Sequence, residues 1–533
     1  MTKRKSVAQV LIGLLLVAAL VLIPMACKAP VAPPVAPPVA PPEEVAPPEE
    51  VAPPEEVAPP VEAPPVVEIK PFRGLADIPE IENKTPIHIP LEAGGSADVQ
   101  VPYVEAFSAK TGVPVTYETM MFSVIYPKVN IELLAGTGVY DTAVVESTTT
   151  CEWAPYLWKM EDLAALYDPQ GVEGFRADMK GHSPAILRCG SDDEGNLIGL
   201  PYYTYQMSMI LRQDVFDDAT EQANFKAKYG YELAPATTWD QIYDQGEFFT
   251  RKKGDLLKGE VLDYDTFGLG MQAGRLNVND EIYTRLWSEG GFCARPIRDA
   301  EGKLVEFVVT KKDKELLNKV LTEYKSCLEW CSPATKDTGN WDTITPRFIA
   351  GYTIITPHEY VSLDQWSWTV EEEIGGTVGI YPTPGKVTQP YPGAFHQAVT
   401  KDSKNPEAAF WLSRYLSSYE CQREMGEEGW ASVRTDVYSD ILADPEYQTH
   451  EAYRAIAQRG AYLIDIWDHM EQFIPNYLVF SSDAMGKIYE MHIVLMHEAV
   501  TGARPIDNAV AEIVRQQMDL QNKFGTAPMR EEL

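Results

Sequence analysis

The stretch Glu132-Leu-Leu-Ala-Gly136-Thr-Gly138-Val-Tyr140-Asp141-Thr-Ala-Val-Val-Glu146 decides the fold. Residues 126–135 carry apolar side chains at helical spacing, and Gly136 and Gly138 end the helix. Glycine closes a helix in the left-handed conformation without a Cβ penalty. An apolar, β-branched run over 140–145 follows at once, which is the pattern of a buried strand. Working outward, 86–91 alternates apolar and polar and breaks at Glu92-Ala-Gly-Gly-Ser96. Residues 99–111 have helical spacing, and 113–117 is β-branched. Strands alternating with helices of this length predict an α/β fold with a mainly parallel sheet. In such sheets ligands are held by loops beyond the carboxyl ends of strands, which directs attention to 92–97 and 146–153.

The chain has 533 residues, more than one ordinary domain holds. Its net charge of −33, from 45 Lys and Arg against 78 Asp and Glu, repels phosphate backbones and anionic lipid heads. Nucleic-acid binding and electrostatic docking on a membrane are therefore not expected. A basic head, Lys3-Arg4-Lys5, precedes an apolar run from Val10 to Ala26 and then Cys27. That is the shape of an export signal. The run is also near the lower length limit of a membrane-spanning anchor. Val-Ala-Pro-Pro then recurs at 31, 35, 39, 45, 51 and 57, with Glu-Glu pairs between the later copies. Paired prolines hold a chain near polyproline II and remove amide donors, so 27–69 reads as an extended spacer. At about 3.1 Å per residue its repeat could reach roughly 110 Å. Six cysteines remain besides Cys27. Cys327 and Cys331, four apart on a helix expected over 313–331, read as buried thiols or one structural bridge.

The end of the apolar run, Ile23-Pro-Met-Ala-Cys27, resembles a bacterial lipoprotein signal, which implies lipidation of Cys27. Pro24 stands where that family usually has Leu. The body carries a second resemblance. Glu132–Gly136 with Asp141, Gly199-Leu-Pro-Tyr-Tyr-Thr204, Met209–Phe216, Pro235-Ala-Thr-Thr-Trp239-Asp, Arg347-Phe-Ile-Ala-Gly351, Ile380-Tyr-Pro-Thr-Pro-Gly385 and Ser403-Lys-Asn-Pro-Glu-Ala-Ala409 follow one another in order. Together they resemble extracellular solute-binding proteins of ABC importers, in the sugar-binding branch. The resemblance implies a two-lobe periplasmic-binding-protein-like fold of type II, with a hinge and an interlobe cleft. It implies one lobe from 85–204 plus 357–425 and a second from 205–356 plus 426–533, with 1–26 as signal or anchor. The expected partners are a small solute, most simply an oligosaccharide, and the permease subunits of the importer. A monomer held outside the cytoplasm by its N-terminal lipid or helix is expected, with no cofactor, no metal and no catalytic residue.

The residues support this independently. No G-x-S-x-G, H-E-x-x-H, P-loop or G-x-G-x-x-G motif occurs, and eight histidines are few for an acid–base or metal enzyme. Eleven Trp, 27 Tyr and 17 Phe are many. Aromatic faces cover the C–H faces of a sugar, and carboxylates and amides take its hydroxyl edges. Candidate ligand residues are Gly95 and Ser96 in the first loop, and Glu146, Ser147, Thr148 and Trp153 in the loop after the buried strand. Tyr202, Tyr203 and Tyr205 belong to the first crossing, and Glu359 and Tyr360 follow the second. Phe395 and His396 lie on a late strand, and Trp430 and Arg434 at the third crossing. Trp366 and Trp368 extend the cleft on this reading, whereas Trp239 and Trp287 read as packing. A peptide, polyamine, metal-chelate or organic-acid binder of the same fold is the first rival reading. An exported glycosidase using two carboxylates is the second, and a surface adhesion module the third.

Overall fold

A computed structural model describes residues 69–93, 95–360, 370, 373–386, 391–427, 430–445, 478 and 481–532. The signal, Cys27, most of the spacer, Trp366 and Trp368 lie outside them.

The opening elements are β1 (Ile87–Glu92), α1 (Gly95–Thr111), β2 (Val115–Met120), α2 (Phe122–Ala135) and β3 (Thr142–Val145). β1 and β2 pair in parallel, from Ile87 opposite Val115 to Glu92 opposite Met120. α2 ends as its glycines require: Gly136 has φ 61°, and its N–H reaches the carbonyls of Glu132 and Leu133. α1 begins earlier than the glycine-rich loop implies. The Gln100 side-chain amide holds the Ser96 carbonyl at 2.8 Å, and Asp98 places a carboxylate in the first turn, where the helix dipole favours it.

β4 (Gly199–Arg212) is the spine. Its 14 residues extend over about 45 Å. It is joined by β5 (Phe267–Leu269), β6 (Thr353–Tyr360), β7 (Val378–Tyr381) and β8 (Pro392–Val399). The sheet runs β3-β8-β4-β6-β5, with β7 also on β4. The first half of β4 pairs with β8, Tyr203 opposite Phe395. Its second half pairs with β6, Ile210 opposite Thr356, and with β7, Ile210 opposite Ile380. The expectation of a mainly parallel sheet is corrected here: β3–β8, β8–β4, β4–β6 and β4–β7 are all antiparallel, and only β6–β5 is parallel. The chain returns to β4 from the far side, so its late strands run against it.

Buried apolar residues form two large cores. One holds Ile87, Phe107, Val145, Trp153, Tyr202, Phe395, Trp411 and Trp430. The other holds Met207, Leu211, Trp239, Ile282, Trp287, Leu317, Ile355, Met496 and Ile513. Tyr205, in the middle of β4, packs against both. β8 passes from the second core to the first between Ala394 and Phe395, and the chain passes back between Trp430 and Val433. The Thr238 cap closes a capping box with Gln241 at the start of the helix Trp239–Phe249, which buries Trp239.

The six described cysteines are buried. The helix over 311–327 stops before Cys331, whose Sγ lies 3.7 Å from the Cys327 carbonyl oxygen. Burial pushes the Cys151 thiol up to about 12, so its thiolate is scarce.

Candidate functional site

A cavity of about 190 Å³ lies between the cores. α2 and β3 from the first core and α3 (Thr150–Trp153) build one side, with Ile125, Tyr126, Pro127, Val144, Glu146, Thr148, Thr149 and Trp153; Phe395 joins them from β8. The other side comes from Arg275, Leu276 and the long helix α4 (Met485–Thr501), which contributes Gly486, Tyr489, Glu490 and Ile493.

The loop after β3 folds on its own hydroxyls. The Glu146 carbonyl accepts from the Thr149 and Thr150 amides at 2.8 and 3.1 Å, which starts α3. The Glu146 carboxylate accepts from Ser147 Oγ at 2.7 Å, the Thr148 amide at 2.8 Å, Thr148 Oγ1, Tyr391 OH at 3.0 Å and Tyr205 OH at 3.2 Å. A carboxylate offers about four lone-pair sites. Five donors therefore saturate Glu146, and it ties the loop to Tyr205 of β4 and to Tyr391 just before β8. Trp153 is buried, donates its indole N–H to Asn130 at 3.1 Å and stacks on Tyr126 with ring centres 5.5 Å apart. The pair forms a flat platform beside the cavity.

Across the cavity, Asp280 accepts from Tyr360 OH at 2.5 Å and from Tyr489 OH at 2.9 Å. Its neighbour Glu281 accepts from Tyr324 OH and from the Gln272 amide at 2.8 Å. Burial pushes both carboxyls up to about 8, against the lowering effect of those tyrosine hydrogen bonds.

The two sides meet in a seam at Glu152. Its carboxylate accepts from Tyr126 OH at 3.3 Å, from the Gly486 amide at 3.1 Å and from the Lys487 ammonium. It sits at the N-terminus of α4, where a helix favours an anion. The glycine at 486 lets both partners approach: a Cβ there would lie 2.3 Å from Glu152 Oε2 and 2.5 Å from Tyr126 OH.

Of the residues singled out from sequence, Glu146, Thr148, Trp153 and Phe395 line the cavity. Ser147 and Tyr205 bond to Glu146, and Tyr360 reaches it only through Asp280 and Tyr489. The rest stand apart. Gly95 and Ser96 start α1. Tyr202, Tyr203 and Trp430 are packed in the first core. Glu359 is buried beside Glu281, whose charge adds to burial in raising its carboxyl. His396 holds the Ile186 carbonyl at 2.9 Å inside the protein, and burial pushes it down to about 4. Arg434 pairs with Asp178 at 2.9 Å and Asp436 at 2.8 Å, and Arg414 shares Asp178. The sequence reading missed Tyr126, Arg275 and the whole face of α4. Gly486, Tyr489, Glu490 and Ile493 follow a three-and-four spacing, the only available signal.

The bacterial extracellular solute-binding protein family matches residues 102–455, and the chain belongs to that family. Among solved structures it is similar to an ABC transporter solute-binding protein from Agrobacterium radiobacter K84 in complex with ribitol, at 17% identity and TM-score 0.61 over 82% of this chain and 99% of that one. It is also similar to maltose-bound MalE3 of T. maritima, at 18% identity and TM-score 0.60 over 82% and 100%. A solute-binding protein from Agrobacterium vitis S4 with bound D-mannitol gives 16% identity and TM-score 0.61 over 83% and 100%. These likenesses establish the two-lobe periplasmic-binding-protein fold. No curated protein matches the sequence.

Proposed function

We propose that the chain captures a carbohydrate in this cavity and hands it to the permease of an ABC importer without chemically altering it. The observation that carries the reading is the lining. Four aromatic rings, Tyr126, Trp153, Phe395 and Tyr489, stand with the hydroxyls of Thr148 and Thr149 and the charges of Arg275 and Glu490. Such a set covers the apolar face of a sugar and meets its hydroxyls. The ribitol, maltose and D-mannitol held by the similar structures support it. We assign 85–204 with 357–425 to one lobe and 205–356 with 426–533 to the other. Most of the two cores divides in this way, with Ala185, Ile186, Cys189, Tyr360, Tyr391 and Ala394 packing on the second side and Trp430 on the first. Closure follows from bending about Tyr205: ligand touches both walls only when they meet, so binding shifts the population to the closed form.

Membership of an extracellular family puts the working part outside the cytoplasm. We propose that a lipid on Cys27 tethers it, with the proline spacer holding it off the membrane. A second reading, capture of a polyamine, is favoured by Glu490 among aromatic rings, a setting that attracts cations. Titration of the full chain by tryptophan fluorescence and X-ray scattering separates them. A saturable response to a sugar, with a smaller radius of gyration and no product formed, is expected. A response to spermidine alone would replace the carbohydrate reading.

A further inference from the structure

This inference rests on the carbohydrate reading. We infer that the site is built for one five- or six-carbon unit, a monosaccharide or its polyol, rather than an oligosaccharide, and that the seam at Glu152 sets the limit.

Volume comes first. The cavity measures about 190 Å³. An apolar cavity of about 150 Å³ holds one benzene. The cavity thus suits one molecule of about the size of a single ring. A disaccharide needs roughly double.

The walls that bound this volume are tied. At one end Tyr126 and Gly486, both lining the cavity, are joined through the Glu152 carboxylate, and Lys487 adds a third donor. The helix backbone itself forms this wall, because position 486 has no side chain to swing aside. Behind Glu146, Tyr205 of β4 and Tyr391 just before β8 both donate to its carboxylate. The exposed lining residues are Pro127, Arg275 and Glu490, which mark the open edge of the cavity. A second sugar ring would protrude there into water and gain no platform, or it would wedge the seam apart and forfeit its three hydrogen bonds. Either way the walls cannot close fully on the first ring, and the added ring lowers its affinity.

The experiment titrates the full chain by calorimetry with ribitol, D-mannitol, D-glucose, maltose and maltotriose, in the wild type, Glu152→Ala and Lys487→Ala. At least one single-unit ligand is expected to saturate the wild type, with maltose and maltotriose at least tenfold weaker. In both variants the gap narrows to threefold or less, because the single unit loses its closed wall. Lys487 is partly exposed, so its replacement keeps the fold. Maltose or maltotriose binding as tightly as every single unit would overturn the size limit and leave the carbohydrate reading standing. An unchanged gap in both variants would overturn the role of the seam. Silence to all five sugars would overturn the carbohydrate reading, and the size limit with it.

Discussion

Replacing Gly486 with Ala separates fold stability from closure. On its own helix the change is favourable, since alanine in place of glycine in a helix interior gains up to about 1 kcal/mol, and less in a first turn. At the seam it is unfavourable. The new Cβ would meet Glu152 Oε2 at 2.3 Å and Tyr126 OH at 2.5 Å, so the carboxylate and the phenol must shift away from α4. Two hydrogen bonds to a carboxylate, from the Gly486 amide and Tyr126, are then stretched or lost. Their net contribution is about 2 kcal/mol, allowing for water taking over part of each. This corresponds to roughly 30-fold weaker binding if the seam forms only in the closed state. The melting temperature without ligand should stay level or rise slightly. Calorimetry gives the affinity, and X-ray scattering at saturating ligand gives the degree of compaction. Affinity within threefold of wild type, with full compaction, would refute the reasoning, because the lobes would then close without this contact.

Three further outcomes are expected. Asp280 and Glu281 hold their protons up to about pH 8 in the folded state but ionise near their ordinary values of 3.8 and 4.5 when unfolded. The native protein therefore binds more protons across that window, and stability falls as pH rises through it. Buried histidines such as His396 and His492, pushed down to about 4, oppose this trend only below their ordinary 6.5. Thermal melts should thus show a decline between pH 6.5 and 8 that the Asp280→Asn, Glu281→Gln double variant flattens; an equal slope in both would contradict it. Arg434→Met removes one partner of the buried Asp178 and should cost about 3 kcal/mol of stability with ligand affinity unchanged within twofold. A tenfold loss of affinity would restore Arg434 as a ligand residue. The six buried thiols should resist an aqueous thiol reagent in the folded protein and react on unfolding, and rapid native labelling would show that the cores open.

What was legible from sequence was local. Two glycines closed α2 and a β-branched run made β3, because both signals lie within a few residues of what they specify. The loop after β3 was found for the same reason, since a strand's end predicts its own loop. The face of α4 was not legible. It enters the site only because the chain returns from the second core, and its spacing is that of any amphipathic helix. The aromatic residues misled in a specific way. Tyr202 and Trp430 have the chemistry of a sugar platform, but the same rings fill a core equally well, and burial decides between the two uses. Strand alternation divides the tyrosines of β4: Tyr203 and Tyr205 share a face while Tyr202 takes the other. Charge misled likewise, since Arg434 and Glu359 went to interior networks rather than to solvent or ligand.

β4 has a consequence for assembly as well as for bending. Its partners are residues 353–360, 378–381 and 392–398, far downstream in the chain. As the chain emerges in order, β4 leaves its hydrogen-bonding edges bare until residue 398 has followed it out. Unpaired edges of that length invite pairing with other chains, and contacts so distant in sequence form slowly. The central sheet thus cannot be completed until about three quarters of the chain has been made, and neither half of β4 finds its partners before then.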